Sequence, residues 1–408
     1  MPEALVTGVL LGLAGLIPGL HYAMILLSAG PWILTTFGIA NGMLAMVASV
    51  CMARAMHTLT VVYHPVAADQ LASADPAQRL RAAGQGRYAT EIMGESLWLG
   101  AVVTVTIVGV LILVNHITGI DIIKVYLRYM HVLTVPAFVA WFVYTVFKAK
   151  NTWGTILVFV ASGILGVIAL EHPSVKGSAQ AMTPLLSGLF GIPILMSTLI
   201  EKKRHKPVEV EPVSTRKHHD ELSRFGLLAG ILSVSLPGLG TSSLVSTCQD
   251  LAQDDAQYLR MASVAESTGE LLALAFGVLM ISDRSSDAAV ISRVITATTG
   301  EYALGSQFPW AMLAVLIAAC WVSLKVIPFV GIPYRFLMWV IPSKIQSIAV
   351  AVGMLWIVWS HTGGWGINVV VAGSLIHFGA RRLGVPNQAF FACMILPMCL
   401  SIFNITLW

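Results

Sequence analysis

Gly12-Leu13-Ala14-Gly15-Leu16-Ile17-Pro18-Gly19-Leu20-His21 interrupts an apolar run near the start of the chain, and Gly230-Ile231-Leu232-Ser233-Val234-Ser235-Leu236-Pro237-Gly238-Leu239-Gly240-Thr241 interrupts another in its second half. In both, a helix-like stretch is cut by Pro-Gly-Leu and then resumes. Proline removes a backbone donor, and glycine opens conformations that other residues avoid. In a soluble protein such a break is an ordinary turn. In apolar sequence of membrane length it frees N–H and C=O groups that lipid cannot satisfy, so it must be buried in protein or line a wet cavity.

The flanking composition makes the membrane reading the only workable one. The chain is 57% hydrophobic and 11% charged, with a mean hydropathy of +0.81, too little polar surface for a soluble globule. Residues 97–114, 153–170 and 308–327 approach the roughly 20 apolar residues a spanning helix requires. The alternation of a membrane β-barrel is absent. Met1-Pro2-Glu3-Ala4 lacks the basic region of a secretory signal, so the N-terminus reads as mature sequence. Cys51, Cys248, Cys320, Cys393 and Cys399 are odd in number and scattered, which argues against a disulfide framework. A net charge of +4 is too small to imply nucleic-acid binding. With no phosphate-binding loop, zinc spacing or nucleophile elbow, we expect no enzyme, no metal and no cofactor.

Taken in order, residues 31–59 read as a helix pair or one long span. Residues 60–95 are polar, with an Ala-rich stretch suited to a surface helix. Spans follow at 97–114, 123–147, 153–170 and 180–200. Residues 201–224 form a charged linker, and further spans follow near 262–282, 308–327, 345–360, 365–380 and 388–407. The mildly apolar 285–306 stretch is left unassigned. Placing the linker in the cytoplasm puts twelve Lys and Arg in the inside loops of the first half and one, Lys176, outside, as the positive-inside rule requires. Five crossings then separate the two breaks, and an odd number inverts the halves relative to one another. The expected fold is an all-α polytopic cell-membrane protein of 10–13 spans. Residues 1–200 and 225–408 form two inverted-topology repeats, each starting with a Pro-Gly broken or re-entrant hairpin.

A second echo supports the repeat. Glu91-Ile92-Met93-Gly94-Glu95 follows the first break and Glu266-Ser267-Thr268-Gly269-Glu270 the second, where composition predicts about 0.08 such strings. At the breaks, each resumed helix points free N–H groups and its positive dipole end at the gap, a setting for an anion. Pro18, Gly19, His21 and Tyr22 at the first break, and Pro237, Gly238, Gly240, Thr241, Ser242 and Ser243 at the second, are therefore the candidate substrate-binding residues. Intramembrane carboxylates are costly and often functional. Glu266, Thr268 and Glu270, with Glu91 and Glu95, are candidates for coupling Na+ or H+, against the plainer reading of solvated helix ends. Arg54 and His57 read as snorkelling to the membrane surface, and His377 as a packed histidine making an interhelical hydrogen bond.

These residues resemble the large membrane subunit family of the tripartite tricarboxylate transporters. Pro18-Gly19-Leu20 carries the likeness, with Ser162-Gly163-Ile164-Leu165-Gly166, Ser187-Gly188-Leu189-Phe190-Gly191-Ile192-Pro193, Pro237-Gly238, and Gly384-Val385-Pro386 with the run from Phe390 to Pro397. The resemblance implies an ion-coupled carrier of di- or tricarboxylates working with a small membrane subunit and an extracytoplasmic binding protein. This chain departs from the family in being shorter, in His21-Tyr22 after the first Pro-Gly, and in its charged linker. The partners expected are the lipid bilayer, a small anionic substrate and those two subunits; homodimerisation is left open. Two other functions fit the same features: a translocase for polyprenyl-phosphate or another lipid carrier, and a membrane scaffold that transports nothing.

Overall fold

Gly8 and Gly12 lie one turn apart on the first helix, and their spacing strips one face of side chains. In the computed structural model, which describes residues 2–17, 22–64, 71–119, 122–172, 178–200, 219–235, 240–280, 291 and 307–402, that face lies against the third helix. α1 (Pro2–Gly12, continued by a 3₁₀ turn at Leu13–Leu16) approaches α3 (Ile39–Tyr63) very closely. A Cβ at Gly8 would collide with the Ala45 carbonyl oxygen, and one at Gly12 would sit 2.7 Å from that of Ser49. Small residues allow such approach where lipid provides no hydrophobic drive for helix association. The device recurs in the second half. α10 (His219–Ser235) sets Gly226 and Gly230 against α12 (Asp255–Met280), where added Cβ atoms would meet the Met261 and Ala265 carbonyl oxygens at 2.5 and 2.7 Å.

Among the described residues all regular structure is helical. α2 (Tyr22–Phe37) and α3 meet at Gly38, whose φ of 74° is left-handed, so of the two readings of residues 31–59 the helix pair is the one observed. α4 (Leu71–Ala82) is the expected Ala-rich helix, α5 (Gly86–Thr118) the span seen at 97–114 with eleven more residues at its start, and α13 (Phe308–Val340) a long span. These helices belong to the first of two units, Met1–Ile123, His205–Val234 and Gln249–Val340. The second unit, Lys124–Arg204, Ser235–Cys248 and Ile341–Trp408, holds α6 (Ile122–Lys148), α7 (Thr152–Glu171) and α8 (Ser178–Leu186). It also holds α9 (Ile192–Ile200), α11 (Thr241–Thr247), α14 (Ser343–Arg382) and α15 (Ala392–Ile402). The spans at 345–360 and 365–380 are the two helical parts of α14, separated at Gly363, whose φ of 61° and ψ of −151° are not helical. Both sequence halves contribute to each unit. Pro18, Gly19, His21, Pro237 and Gly238, residues 201–218 of the linker and all of 281–306 except Ile291 lie outside the described residues.

The first unit is built for lipid. Its most apolar windows, in α5 and α13, have mean hydropathies of 2.7 and 2.3 and are only 28% and 39% buried. Those of α3 and α12 are less apolar, at 1.5 and 1.3, yet 78% and 83% buried. A water-soluble core orders these the other way, with the most apolar helices inside. Here the apolar side chains face outward, and the polar ones are sheltered among helices. Six described helices, α3, α5, α7, α12, α13 and α14, are long and apolar enough to span a bilayer, and five shorter apolar stretches accompany them.

The second unit is organised around a π turn, Ser187–Gly191, joining α8 to α9. A π turn shifts the backbone ladder and frees carbonyls. α14 supplies their donors: Ser374 Oγ donates to Gly188 O at 3.2 Å, and the His377 ring lies with Nδ1 2.6 Å from Leu189 O. A carbonyl only accepts, so Nδ1 carries the proton. His377 also stacks on Phe390 at 5.1 Å, which makes it the packed, interhelical histidine expected from its apolar surroundings. Asn151 caps α7, with Oδ1 accepting from Gly154 N at 2.9 Å and Nδ2 donating to Leu383 O at 3.0 Å.

Candidate functional site

α3 is buried at every position from Gly42 to Tyr63 except Arg54, which is half-buried. Its hydroxyls are satisfied within the helix: Ser49 Oγ donates to Met46 O and Thr58 Oγ1 to Ala55 O, each at 2.7 Å, and Thr60 Oγ1 to His57 O at 2.8 Å. Ser and Thr can turn back onto their own turn in this way. The planar guanidinium of Arg54, with five donors, cannot. It crosses to α12, where Nη1 lies 2.9 Å from Glu270 Oε2, with side chains 11% and 22% exposed. The snorkelling expected of Arg54 does not occur, because a carboxylate inside the unit is the nearer partner.

One turn back along α12, Glu266 is 1% exposed. Its Oε2 accepts from Ser73 Oγ at 2.7 Å and its Oε1 from the Ala72 backbone N–H at 3.2 Å. Both donors lie in the first turn of α4, whose leading N–H groups have no acceptor within their own helix. Glu266 therefore caps α4 from another helix, where the dipole favours negative charge. Between these groups lies a small cavity with room for about one water-sized molecule. Arg54, Thr58, Ser263, Glu266, Ser267 and Glu270 form its polar wall, and Met93, Leu97 and Leu271 its apolar one. The Oγ of Ser263 and the Oγ1 of Thr268 are buried without a hydrogen-bond partner among the described residues.

The first Glu pair meets a different environment. Glu91 is exposed and pairs with Arg87 one turn away at 3.0 Å. Glu95 is 57% exposed and lies 3.0 Å from Arg260 Nη1 on α12, and Arg260 Nε donates to Ser223 Oγ on α10 at 3.3 Å. A solvated helix end describes this pair well. It fails for Glu266 because α12 begins at Asp255, well before the span read from 262, so Glu266 lies near mid-helix. The two echoed motifs sit on packed helices, a Cβ at Gly100 of α5 being 2.9 Å from Thr268 N of α12.

At the second break, Gly240 precedes α11 with extended backbone and no side chain caps the helix. Ser246 and Thr247 bond back to Ser243 O and Leu244 O at 2.8 and 2.6 Å, and the Tyr144 hydroxyl donates to Thr247 O at 2.9 Å. Ser242 and Ser243 are buried, and Ser243 Oγ has no partner among the described residues. Thr241 is half-buried, and Tyr22, opening α2 in the first unit, is 5% exposed. Glu266 and Glu270 thus come together with Arg54, whereas Thr268 lies beside Gly230 of α10 and Gly100 of α5, and Glu91 and Glu95 stand apart in their own ion pairs. Ser73 and Ala72 were missed, for no local pattern announces a partner 193 and 194 residues away. No cluster of three metal-ligating side chains occurs among the described residues, and the five cysteines are free thiols.

In comparisons with known proteins, residues 4–391 match the family described as the tripartite tricarboxylate transporter TctA family. No curated protein and no solved structure matches the chain.

Proposed function

The chain belongs to the tripartite tricarboxylate transporter TctA family, and on that premise we propose that it is an ion-coupled carrier of small di- or tricarboxylates working by alternating access. It is a multi-pass, all-helical membrane protein. In this reading the substrate carboxylates meet the N–H groups and hydroxyls of the two broken segments: Pro18, Gly19, His21 and Tyr22 in one, and Pro237, Gly238, Gly240, Thr241, Ser242 and Ser243 in the other. The coupling ion, Na+ or H+, is taken at Glu266, Thr268 and Glu270, while Glu95 ties α5 to α12 through Arg260 and Glu91 pairs with Arg87 within α5. A small membrane subunit and an extracytoplasmic binding protein complete the system, and the 201–224 linker faces the cytoplasm. The two halves descend from inverted repeats. Besides the Pro-Gly breaks, the paired glycines of α1 on α3 and of α10 on α12 favour that descent.

The observation that carries the proposal is the buried cluster of Arg54, Glu266 and Glu270. Charges sheltered among spanning helices cost at least about 2.5 kcal/mol each on insertion scales, and a purely structural contact at that place is made as well by apolar packing. The test is gradient-driven uptake of labelled citrate and shorter dicarboxylates into proteoliposomes containing the chain with its partner subunits. Accumulation above equilibrium under a Na+ or H+ gradient, reduced in Thr241→Ala, is the expected result. No flux of any di- or tricarboxylate with folded protein present refutes it.

A further inference from the structure

We propose that Glu266 is a proton site, so that the coupling ion is H+, and that α4 reports its charge state. The inference rests on reading the α3–α12 cluster as the coupling site. Size decides first. The cavity admits about one water-sized molecule, far too little for a tricarboxylate, so the ligand of this cavity is a proton or a bare small cation. Coordination decides next. A dehydrated metal cation must replace its hydration shell with several oxygens at once. Thr58, Ser263 and Ser267 offer hydroxyl oxygens to the cavity, but both Glu266 oxygens already accept from α4, Glu270 is held by Arg54, and the Arg54 guanidinium in the same wall supplies no oxygen and repels a metal cation. A proton requires no such shell.

Charge and hydrogen bonding point the same way. The charged wall of the cavity holds one guanidinium, Arg54, 2.9 Å from Glu270, and two carboxylates, Glu266 and Glu270, and so sums to −1. One proton from water neutralises it as carboxylate becomes carboxylic acid, and the same proton returns to water on release. The acid then needs an acceptor, because it has become a donor. Ser263, 3% exposed with an Oγ lacking any partner among the described residues, lines the same cavity and is placed to accept that proton's hydrogen bond. Among the described side chains, the other charged groups of the packed elements are engaged elsewhere or turned outward, Arg81 of α4 donating to the Tyr63 carbonyl oxygen. Arg79 of α4 is held by Asp255 at 2.7 Å, Arg260 by Glu95 of α5, and Glu91 by Arg87. Asp75 of α4 and Arg224 of α10 are exposed, and His57 of α3 lies with Nδ1 3.1 Å from Thr60 Oγ1.

The consequence of protonation falls on α4. Hydrogen bonds to an ionised acceptor are about twice as strong as neutral ones, so neutralising Glu266 weakens its hold on Ala72 N–H and Ser73 Oγ together. The first turn of α4 loosens when the proton binds and tightens when it leaves. A proton in the cavity is thereby converted into movement at the end of a helix.

Infrared difference spectra of the purified chain in lipid nanodiscs, titrated from about pH 9 to about pH 5, test the site without transport. A carboxylic-acid C=O band that grows on acidification, is absent in Glu266→Gln and is shifted in Ser73→Ala is the expected result. The second variant retains the carboxyl group if the first fails to fold. In proteoliposomes with the partner subunits, each pH unit of inward gradient should sustain up to about tenfold citrate accumulation per coupled proton, and Glu266→Gln should abolish that pH-driven accumulation. No titrating band that responds to these variants, or uptake driven by Na+ and indifferent to pH, overturns the proton assignment while leaving the carrier reading intact. A Glu266 band with no anion flux under any gradient supports the proton site and refutes the carrier reading.

Discussion

Replacing Glu270 by Gln leaves the Arg54 guanidinium in place and removes the charge that balances it. At the observed 2.9 Å, Coulomb attraction at an effective dielectric of about 20 is about 6 kcal/mol, an upper bound that ignores the cost of drying both groups. Breaking a buried pair by removing one member typically costs about 3–5 kcal/mol, because the other is left buried and uncompensated. Glu270 retains 22% exposure and Glu266 stays in the same cavity wall as Arg54, so water and the remaining carboxylate recover part of this, and we expect a loss of about 3 kcal/mol. The double variant Arg54→Gln/Glu270→Gln removes both charges and lets two amides meet, so it should lie within about 1 kcal/mol of wild type. The coupling between the sites is then about 2 kcal/mol or more, in the range of contacting residues. Thermal or denaturant unfolding of the detergent-purified protein measures all three variants. If Glu270→Gln costs less than about 0.5 kcal/mol, or the double variant is no better than the single, Arg54 is not held by Glu270 and the account of the cluster is wrong.

Two further outcomes follow from the packing and from one histidine. Gly12→Leu and Gly226→Leu each push a side chain into a neighbouring backbone, at 2.7 Å from Ser49 O and 2.5 Å from Met261 O. Each should cost about 3 kcal/mol or prevent folding, whereas Gly379→Ala, with nothing within 4 Å, should be neutral within about 1 kcal/mol; fluorescence-detected melting separates them. His64, just past the end of α3 and fully buried, has its pKa lowered to about 4, first by burial and then by the positive charge of Arg81. The unfolded chain takes up this proton below its ordinary pKa of about 6.5 while the folded protein resists it. Stability should therefore fall by up to about 3 kcal/mol as pH drops from about 6.5 to about 4, and His64→Gln should flatten that part of the melting-temperature profile.

The spans were legible because lipid imposes a length and a composition on any helix that crosses it. α7 and α15 begin within two and four residues of the 153 and 388 read from apolar runs. The polar starts of α5 and α12 were not legible, since those turns are covered by other helices and not by lipid, and hydropathy cannot tell sheltered polar sequence from a loop. This is why Glu266 looked like a helix end and proved to be near mid-helix. The Gly38 break was missed for a related reason: a glycine inside apolar sequence is compatible with helix, and only its φ of 74° shows the chain turning there.

Composition and motif spacing by themselves determined the class of this protein. A chain this apolar must satisfy its backbone internally, so it must be helical in a membrane, and the doubled Glu-x-x-Gly-Glu strings mark where charge enters those helices. Only the tertiary structure decided which of those polar residues share a cavity. Glu266 and Glu91 occupy the same place in the same motif, yet one caps a foreign helix out of water and the other pairs with an exposed arginine. Burial and partner choice are set by which helix arrives opposite, and the arrival of α4 and α3 at α12, across nearly two hundred residues of chain, is written in no local pattern.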